Sequence, residues 1–566
     1  MNFPNEKVAE AKTCQKCQIS FDVTDKDLEF YDKVSPVFNG KKFQIPTPKL
    51  CPDCRHRRRL TFRNERQFYK RNCDLTMKEM ISIYSPDKDL VVYEQDSWWG
   101  DDWDPLEYGV DFDFNRSFFE QYGEFTHTIP RINILNWESV NSEYTNQSLN
   151  NKNGYFLTSS GFCEDSLYSH WLKFSHNCSD CLQLDKGDNS YECVNGVSVY
   201  NSSYIENSEN ISDSIFLDDC KNTQCSIAST GLRNKKNYFL NEPTTQEEIN
   251  RIQNRLVDDE EYFEEIRHKY IALKDSGVKK YMFGESNHDV SGDYVYNSKN
   301  VTYCFNCDDI EDVSYSFDSL VGKHSHDITE AYIVEQSYEA HGGNEIFKSA
   351  FCSNFYTSTS VYYCFFGTNI QNCFGCFGVR NKQYCIFNKQ YTKQEYEKLV
   401  PKIIEHMRVT GEWGEFFPSE LSPFGYNETV ANEYFPLEKQ EVISQGFNWA
   451  DYRTTVVKVA KTIPANKLPE NITDIPDDIL NWAVECEITK KLFRITAQEL
   501  EFYRKHKLPI PRRHPDQRHL DRMNARNPRK LFERDCDKCG VEMQTTYAPE
   551  RPEKVYCESC YNEEIY

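Results

Sequence analysis

Eight cysteines, arranged as four Cys-x2-Cys pairs, are the residues of this sequence whose types and spacing most clearly predict chemistry. Two pairs lie near the N-terminus and two near the C-terminus. Two such pairs present four thiolates at tetrahedral reach, which suits Zn²⁺ and stabilises a module too small to bury a core of its own. We therefore predict two zinc ions per chain, one at each end, bound by Cys14, Cys17, Cys51 and Cys54 and by Cys536, Cys539, Cys557 and Cys560.

The two modules that carry these pairs are copies of one another. Residues 51–97 align without a gap with residues 514–560, and 17 of the 47 aligned positions are identical. This repeat indicates an ancestral module with two zinc fingers. Of the second finger, the N-terminal copy keeps only Cys73; of the first finger, the C-terminal copy keeps only Cys486 and His514. Each end has lost a different finger, so we expect two metal ions rather than four.

A second duplication, at an offset of 147 residues, fills the middle of the chain. The run "GLRNKKNYFLN" at 231–241 matches "GVRNKQYCIFN" at 378–388, and "SYE" at 190–192 matches 337–339. Both copies alternate apolar residues or cysteine with Asn, Ser, Gly and Asp. Cysteines 21 residues apart, such as Cys352 and Cys373, suggest a parallel β-helix with coils of about 21 residues. A pair of antiparallel β-sandwiches is the alternative.

The predicted fold is mainly β, with two tandem parallel β-helix (solenoid) halves that carry helical caps, flanked by treble-clef or zinc-ribbon modules at both termini. Abundant Tyr, Phe, Asn and Ser favour strands and turns in the middle, and a helical pattern follows each copy. The predicted domains are an N-terminal zinc module with a basic helix and an aromatic, acidic segment (1–130), the first β-helix half (137–242), a helical linker or cap (243–283), the second half (284–390), a helical cap and linker (391–480) and a C-terminal zinc-ribbon module (481–566).

Basic residues concentrate beside the zinc fingers in a chain whose net charge is −23. Residues 49–71 carry a net charge of +7, and residues 504–534 carry +8. Arginines on a metal-stabilised helix suit phosphate contacts, which predicts RNA binding. Docking of these segments on acidic residues of the same chain is an equally weighted alternative. The candidate nucleic-acid contacts are Arg55, Arg57, Arg58, Arg59, Arg63, Arg66, Arg512, Arg513, Arg518, Arg522 and Arg526.

The Cys-x2-Cys pairs of the middle region have a different interpretation. Each lacks a second pair at useful spacing, so we predict that they are small buried apolar residues rather than metal ligands. These pairs are Cys178/Cys181, Cys304/Cys307 and Cys373/Cys376.

Both terminal modules resemble known zinc-binding families. The text "CQKC…F…DLEFY…P…LCPDCRHRRR" resembles a probable zinc-ribbon domain of many uncharacterised bacterial proteins. The text "CDKCG…YAPERPEKVYCESCY" is similar to another widespread short bacterial zinc ribbon. The resemblance implies zinc at the eight cysteines and no catalysis.

The function expected from the sequence is a zinc-binding scaffold that binds RNA or the ribosome, or otherwise a protein partner. The absence of a signal peptide or a long apolar run favours a cytoplasmic protein without membrane contact, whose 23 cysteines are thiols or metal ligands. The alternative is a carbohydrate-active lyase or hydrolase on a parallel β-helix. It rests on residues 93–119, where three Trp mix with acids such as Asp101, Asp102 and Asp104. Packing of the Trp side chains is the simpler interpretation, so an enzyme is the less favoured prediction.

Overall fold

The computed structural model describes residues 6–335, 337–452, 459 and 461–566. Strands account for 32% and helices for 26%, so the architecture is mixed rather than mainly β as predicted from the sequence. Residues 1–5 of the predicted N-terminal module lie outside the described residues. No helix in the described ranges is long and apolar enough to cross a membrane.

The N-terminal module consists of short hairpins and four helices. Helix α1 begins with a capping box, in which Thr24 accepts from the Asp27 backbone N–H and Asp27 accepts from that of Thr24. The elements are β1 (Val8–Thr13), β2 (Ser20–Thr24), α1 (Asp25–Val34), β3 (Val37–Phe38), β4 (Lys41–Lys42), α2 (Pro52–Leu60), β5 (Tyr69–Asn72), β6 (Glu79–Ser82), β7 (Val92–Tyr93), α3 (Gln95–Trp99), α4 (Phe118–Thr128) and β8 (Arg131–Ile132).

The first central copy, here called the first repeat (residues 137–242), contains a ten-stranded sheet whose ladders are parallel until the final hairpin. Its strands, with the short pair that precedes them, are β9 (Asn136–Trp137), β10 (Ser148–Leu149), β11 (His170–Lys173), β12 (Leu182–Asp188), β13 (Val194–Tyr200), β14 (Ser203–Glu206), β15 (Glu209–Ser212), β16 (Ile215–Asp218), β17 (Lys221–Gln224), β18 (Ile227–Thr230), β19 (Tyr238–Phe239) and β20 (Glu242–Pro243). Two helices follow, α5 (Gln246–Asp258) and α6 (Glu260–Ser276), which bury Ile249, Ile252 and Ile266.

The second repeat (residues 284–390) has the same plan. Its ten strands neighbour one another in sequence order. After β21 (Lys279–Lys280), which pairs elsewhere, they are β22 (Gly284–Glu285), β23 (His288–Tyr296), β24 (Lys299–Ser314), β25 (Leu320–His326), β26 (Thr329–Glu335), β27 (His341–Phe347), β28 (Ser353–Tyr362), β29 (Gln371–Phe374), β30 (Cys385–Ile386) and β31 (Lys389–Gln390). The helices that follow are α7 (Lys393–Val409), α8 (Val430–Tyr434) and α9 (Lys439–Ser444).

The C-terminal module repeats the elements of the N-terminal one. Its helix α10 begins with the equivalent capping box, formed by Thr496 and Glu499. The elements are β32 (Lys461–Pro464), β33 (Trp482–Glu485), β34 (Leu492–Phe493), α10 (Ala497–His506), α11 (Pro515–Asn524), β35 (Phe532–Asp535), β36 (Glu542–Thr545), β37 (Val555–Tyr556) and α12 (Glu558–Ile565).

The pairing register is twelve residues, not 21, in both repeats, apart from the first pairings of the second repeat, such as His288 with Lys299, which are eleven residues apart. In the first repeat Leu182 pairs with Val194, and in the second His341 pairs with Ser353. The partner of Cys373 is Val361, so the predicted stacking of Cys352 on Cys373 is wrong.

A left-handed residue recurs every third position throughout the first repeat. Every third residue from Glu138 to Leu240 has a positive φ, and the second repeat shows the same period from Tyr294 to Glu330. This conformation costs about 1–2 kcal/mol for most L residues but less for Asn and Asp. Asn side chains at these positions hydrogen-bond the residue twelve further on, as Asn141 does with Asn153 at 2.9 Å. The high Asn and Asp content of the repeats follows from this backbone.

In most of both repeats the residue after the left-handed position points inward, and these residues form the core. Each is usually Ser, Cys or a small aliphatic residue, such as Ser169, Leu172 and Cys178, which are all fully buried. The Ser169 hydroxyl donates to the carbonyl of Leu167 (2.8 Å) and accepts from the backbone N–H of Cys181 (3.0 Å). Such serines therefore satisfy backbone groups that the inward rows would otherwise leave buried without a partner.

Candidate functional site

The first cysteine cluster lies where the β1–β2 hairpin meets the start of helix α2. Cys51 is the N-cap residue of α2 and Cys54 lies in its first turn. The Sγ atoms of Cys14, Cys17, Cys51 and Cys54 all lie within 4.8 Å of one another, and those of Cys17 and Cys51 are 3.7 Å apart.

The second cluster has the same construction at the other end of the chain. Cys536 and Cys539 follow β35 in the β35–β36 hairpin, and Cys557 is the N-cap residue of α12. The Sγ atoms of Cys536, Cys539, Cys557 and Cys560 also lie within 4.8 Å of one another, with 3.7 Å between Cys539 and Cys557.

These dimensions fit a tetrahedral metal ion. A Zn–S bond of about 2.3 Å in tetrahedral geometry separates the sulfurs by about 3.8 Å. Both clusters can therefore hold a metal ion on the eight cysteines predicted from the sequence. Four thiolates without a carboxylate or imidazole favour a soft ion and leave no open position for substrate.

Hydrogen bonds connect three of the side chains in the degenerate finger of the N-terminal module. At the positions of Cys539, Cys557 and Cys560 this module has Thr76, Glu94 and Ser97. The Glu94 carboxylate accepts from the Thr76 hydroxyl at 3.0 Å and from the Ser97 hydroxyl at 3.2 Å. The Cys73 sulfur keeps its backbone donor, the N–H of Glu94 at 3.3 Å, as Cys536 keeps that of Cys557 at 3.3 Å.

The degenerate finger of the C-terminal module keeps a similar turn. Cys486 accepts from the backbone N–H of Thr489 at 3.4 Å, and His514 Nδ1 accepts from that of Asp516 at 3.1 Å. The two cysteine clusters are the groups of three or more His, Cys, Asp or Glu side chains with metal-binding geometry among residues 6–335, 337–452, 459 and 461–566. This supports two metal ions rather than four.

The arginines of helix α2 form buried ion pairs with the second repeat. Arg55 Nε and Arg59 Nη1 both donate to Asp327 Oδ1, at 2.9 and 3.1 Å, and the three side chains are at most 2% exposed. Arg58 donates to Glu339 at 2.6 Å and to Glu415 at 3.1 Å. The N-terminal module is therefore docked on the second repeat through its basic helix.

The equivalent arginines of helix α11 make the equivalent contacts with the first repeat. Arg518 and Arg522, which align with Arg55 and Arg59, both donate to Asp180, and the Arg522–Asp180 distance is 2.9 Å. Asp180 precedes Asp327 by 147 residues, which is the offset of the two repeats. The C-terminal module therefore docks on the first repeat in the way the N-terminal module docks on the second.

Aromatic contacts at the edges of the two interfaces are duplicated as well. Tyr315 donates to Asp27 at 3.2 Å, and its counterpart Tyr168 donates to Glu499 at 3.0 Å. The guanidinium of Arg380 lies 5.3 Å from the ring centroid of Trp103. In the other copy, Arg233 is 5.4 Å from the ring of Tyr566, the residue that aligns with Trp103.

The remaining candidate arginines also have partners within the chain. Six of the eleven predicted nucleic-acid contacts are between 0% and 5% exposed, so they do not form the solvent-facing patches that phosphate binding requires. In the N-terminal module, Arg57 donates to Gln445, Arg63 pairs with Glu65 and Glu330, and Arg66 lies over the Phe156 ring. In the C-terminal module, Arg512 pairs with Glu260, Arg513 pairs with Glu487 and Asp521, and Arg526 donates to Asn306. The docking alternative is the one that these contacts support.

Burial and the arginines have opposing effects on the carboxyl groups of these interfaces. Burial disfavours ionisation of Asp327, but Arg55 and Arg59 outweigh it and lower the pKa of Asp327 below its ordinary value. Burial raises the pKa of Glu192 to about 7, although Arg522 opposes that shift. Burial likewise raises the pKa of Glu339, the residue of the other interface that corresponds to Glu192, although Arg58 opposes that shift.

The other sequence predictions concern Cys and Trp residues of the interior. Cys178, Cys181, Cys304, Cys307, Cys373 and Cys376 are at most 1% exposed, as expected of buried apolar residues. In the aromatic segment Trp98 and Trp103 are packed in the core. Asp101, Asp102 and Asp104 are exposed, and Asp104 accepts from the backbone N–H of Leu106 at 2.9 Å.

The acceptors Asp180 and Asp327 were missed by the sequence analysis. Their signal is their spacing, because both occupy the same place in the duplicated repeats. Glu192 and Glu339 were matched as part of "SYE", but their pairing with arginines could not be inferred from the match.

Comparison with protein-family models and with curated proteins finds no match to this chain.

Proposed function

We propose that this protein is a zinc-stabilised, non-enzymatic scaffold that binds a macromolecular partner. The observation that carries the proposal is the duplicated docking of arginine helices α2 and α11 on the two repeats. Each docked helix lies in a terminal module that also contains one cysteine cluster. The metal ions thus stabilise the modules that hold the repeats, and they have no chemical step to perform.

The proposed central architecture is a pair of parallel β-helices with coils of twelve residues. Its support is the parallel pairing at a twelve-residue register through most of both repeats, together with the left-handed residue at every third position. A chain that turns in this way returns above itself after four such positions. Helices α5 and α6 pack on the side of the first repeat, against residues of β16 and β18 such as Phe216 and Ala228.

The metal is proposed to be zinc, and the compartment is proposed to be the cytoplasm. All 23 cysteines are free thiols in the structure, which suits a reducing compartment. The RNA or ribosome contact predicted from the sequence is not favoured within this proposal, because the arginines on which it depended are engaged in intramolecular pairs. A protein or another uncharged or weakly charged polymer is the preferred class of partner.

Metal analysis of single variants tests the scaffold. The native protein should contain two zinc ions, and Cys51→Ala and Cys557→Ala should each contain one. Hydrogen exchange should rise in α2 for the first variant and in α12 for the second, while the inward rows of the repeats stay protected, since their burial does not depend on metal.

Cys225→Ala is the matched control, because Cys225 lies outside both clusters and is partly exposed. It should retain two ions. Loss of both ions from either cluster variant, or a native protein without metal, would contradict the proposal. Affinity capture of the full chain, followed by sequencing and mass spectrometry of the bound material, identifies the partner.

A further inference from the structure

A cleft of about 520 Å³ lies between the two repeats, beside the contacts that dock the terminal modules. One wall comes from the first repeat, with Phe162, Trp171 and Phe174, and the other from the second repeat, with Tyr356 and Glu330. Trp99 of the N-terminal module also lines it. The size is that of a site for a small ligand or for a short stretch of a polymer.

Aromatic faces dominate the wall from the first repeat. Phe162 and Phe174 occupy left-handed positions twelve residues apart, and their rings are stacked at 5.0 Å with an interplanar angle of 11°. They are 48% and 57% exposed, in contrast to the many aromatic side chains buried in the core. Because the two rings stack on one another, each covers one face of the other, and the outer ring faces and exposed ring edges remain for a flat, partly apolar ring to pack against.

Tyr356 of the second repeat and two tryptophans beside it supply more aromatic surface. Tyr356 packs against Trp137 with ring centroids 5.8 Å apart, and Trp137 packs against Trp99 at 4.7 Å. The indole N–H of Trp99 is buried and has no hydrogen-bond partner in the part of the chain that the structure describes. Hydroxyl and amide side chains that line the cleft, among them Ser159, Asn354 and Thr368, can hydrogen-bond ligand hydroxyls.

Charge in the cleft is largely neutralised. Glu330 pairs with Arg63, and Asp318 pairs with Arg529 at 2.7 Å. Burial raises the pKa of Glu330 to about 8 and lowers the pKa of Lys173, so both side chains are biased toward their neutral forms. In a chain of net charge −23, such a cleft does not attract a polyanion.

We propose that this cleft binds a neutral oligosaccharide, with sugar rings packed against the outer aromatic surface of the Phe162–Phe174 pair and hydroxyl groups on the polar side chains of the cleft. This inference rests on the proposed scaffold function and specifies its ligand. A sugar combines apolar ring faces with many hydroxyls and no charge, which matches the aromatic, hydrogen-bonding and neutral character of the site. Nucleic acid matches the aromatic faces but not the charge.

Titration calorimetry with the full-length, zinc-loaded protein tests the proposal. The probes are the hexasaccharides of cellulose, xylan, mannan and chitin, with a 20-nucleotide RNA as the polyanion. At least one hexasaccharide should bind, and the double variant Phe162→Ala/Phe174→Ala should weaken that binding by about tenfold or more. Both side chains are about half exposed, so the variant should fold. Tyr200→Ala, 50% exposed on the same repeat and outside the cleft, should bind like the native protein.

Zinc content and thermal unfolding measured on the same samples separate failure of this inference from failure of the scaffold. If two zinc ions are present and no hexasaccharide binds, the ligand inference is overturned while the scaffold stands. Binding that is unchanged in the double variant overturns the assignment to this cleft. Binding of the RNA in place of the sugars, lost in the double variant, overturns the ligand class.

Discussion

Replacing Asp327 with asparagine tests whether the N-terminal module is held by its buried ion pairs. Asp327 Oδ1 accepts from Arg55 at 2.9 Å and from Arg59 at 3.1 Å, and all three side chains are inaccessible to water. The substitution preserves size and leaves two buried guanidinium groups without a countercharge. Removing one partner of a buried pair costs about 3–5 kcal/mol, because the remaining charge is neither solvated nor compensated.

Hydrogen exchange followed by mass spectrometry is the appropriate assay, because a chain of this size does not unfold in one step. A loss of about 3–5 kcal/mol in local stability should accelerate exchange in α2 by roughly two to four orders of magnitude. Peptides from α11 in the same sample serve as an internal reference and should not change. Asp180→Asn should reverse this pattern, with fast exchange in α11 and native exchange in α2.

Two further variants control for the chemistry of the substitution. Asp289 has a positive φ of 53°, close to the 59° of Asp327, but is exposed, so Asp289→Asn should leave exchange unchanged. Adding Arg55→Met and Arg59→Met to Asp327→Asn should restore much of the protection, since the two guanidinium groups that had lost their countercharge are then removed. Native exchange of α2 in Asp327→Asn, or equal acceleration of α2 and α11, would refute electrostatic docking.

The degenerate finger of the N-terminal module should bind metal again when its ligands are restored. Replacing all three of Thr76, Glu94 and Ser97 by cysteine should raise the zinc content from two ions per chain to three. An unchanged zinc content would contradict a common origin of the fingers. Burial raises the pKa of Asp293 to about 6, so this group contributes up to about 3 kcal/mol of stability at pH 4 that is lost as pH rises to above 6. Asp293→Asn lacks this loss, and its thermal midpoint should therefore rise relative to the native one across that range; a constant difference argues against the shift. Ser169→Ala should lower the free energy of unfolding by about 1–3 kcal/mol, because the backbone N–H of Cys181 then lacks its acceptor. Ser444 is exposed, so Ser444→Ala should leave the free energy of unfolding, measured by denaturation, almost unchanged. Equal losses of stability in the two variants would exclude a structural role for the inward serines.

Metal ligation and duplication could be predicted from the sequence because both are visible in short runs of residues. A Cys-x2-Cys pair places two thiolates in one tight turn whatever surrounds it, and two pairs need only one hairpin and one helix start to meet. The assignment of the lost fingers came from aligned positions, and the Thr76–Glu94–Ser97 hydrogen bonds agree with it.

The coil length could not be predicted from cysteine spacing, and the reason is geometric. Every third residue points inward, so two inward cysteines can be separated by any multiple of three residues, as Cys352 and Cys373 are. A spacing of 21 residues is such a multiple, but it is not the number of residues in one coil. Only the strand pairing, Val361 with Cys373, establishes twelve residues as the repeat.

Which acidic groups the arginines bind was likewise decided by the tertiary structure alone. The sequence by itself determined that two duplicated helices are basic and that each lies in a module with a cysteine cluster. A guanidinium group, however, pairs equally well with a phosphate or a carboxylate. The carboxylates that receive Arg55 and Arg518 are 272 and 338 residues away along the chain. The folded repeats bring Asp327 and Asp180 to these helices, and burial then makes the pairing intramolecular.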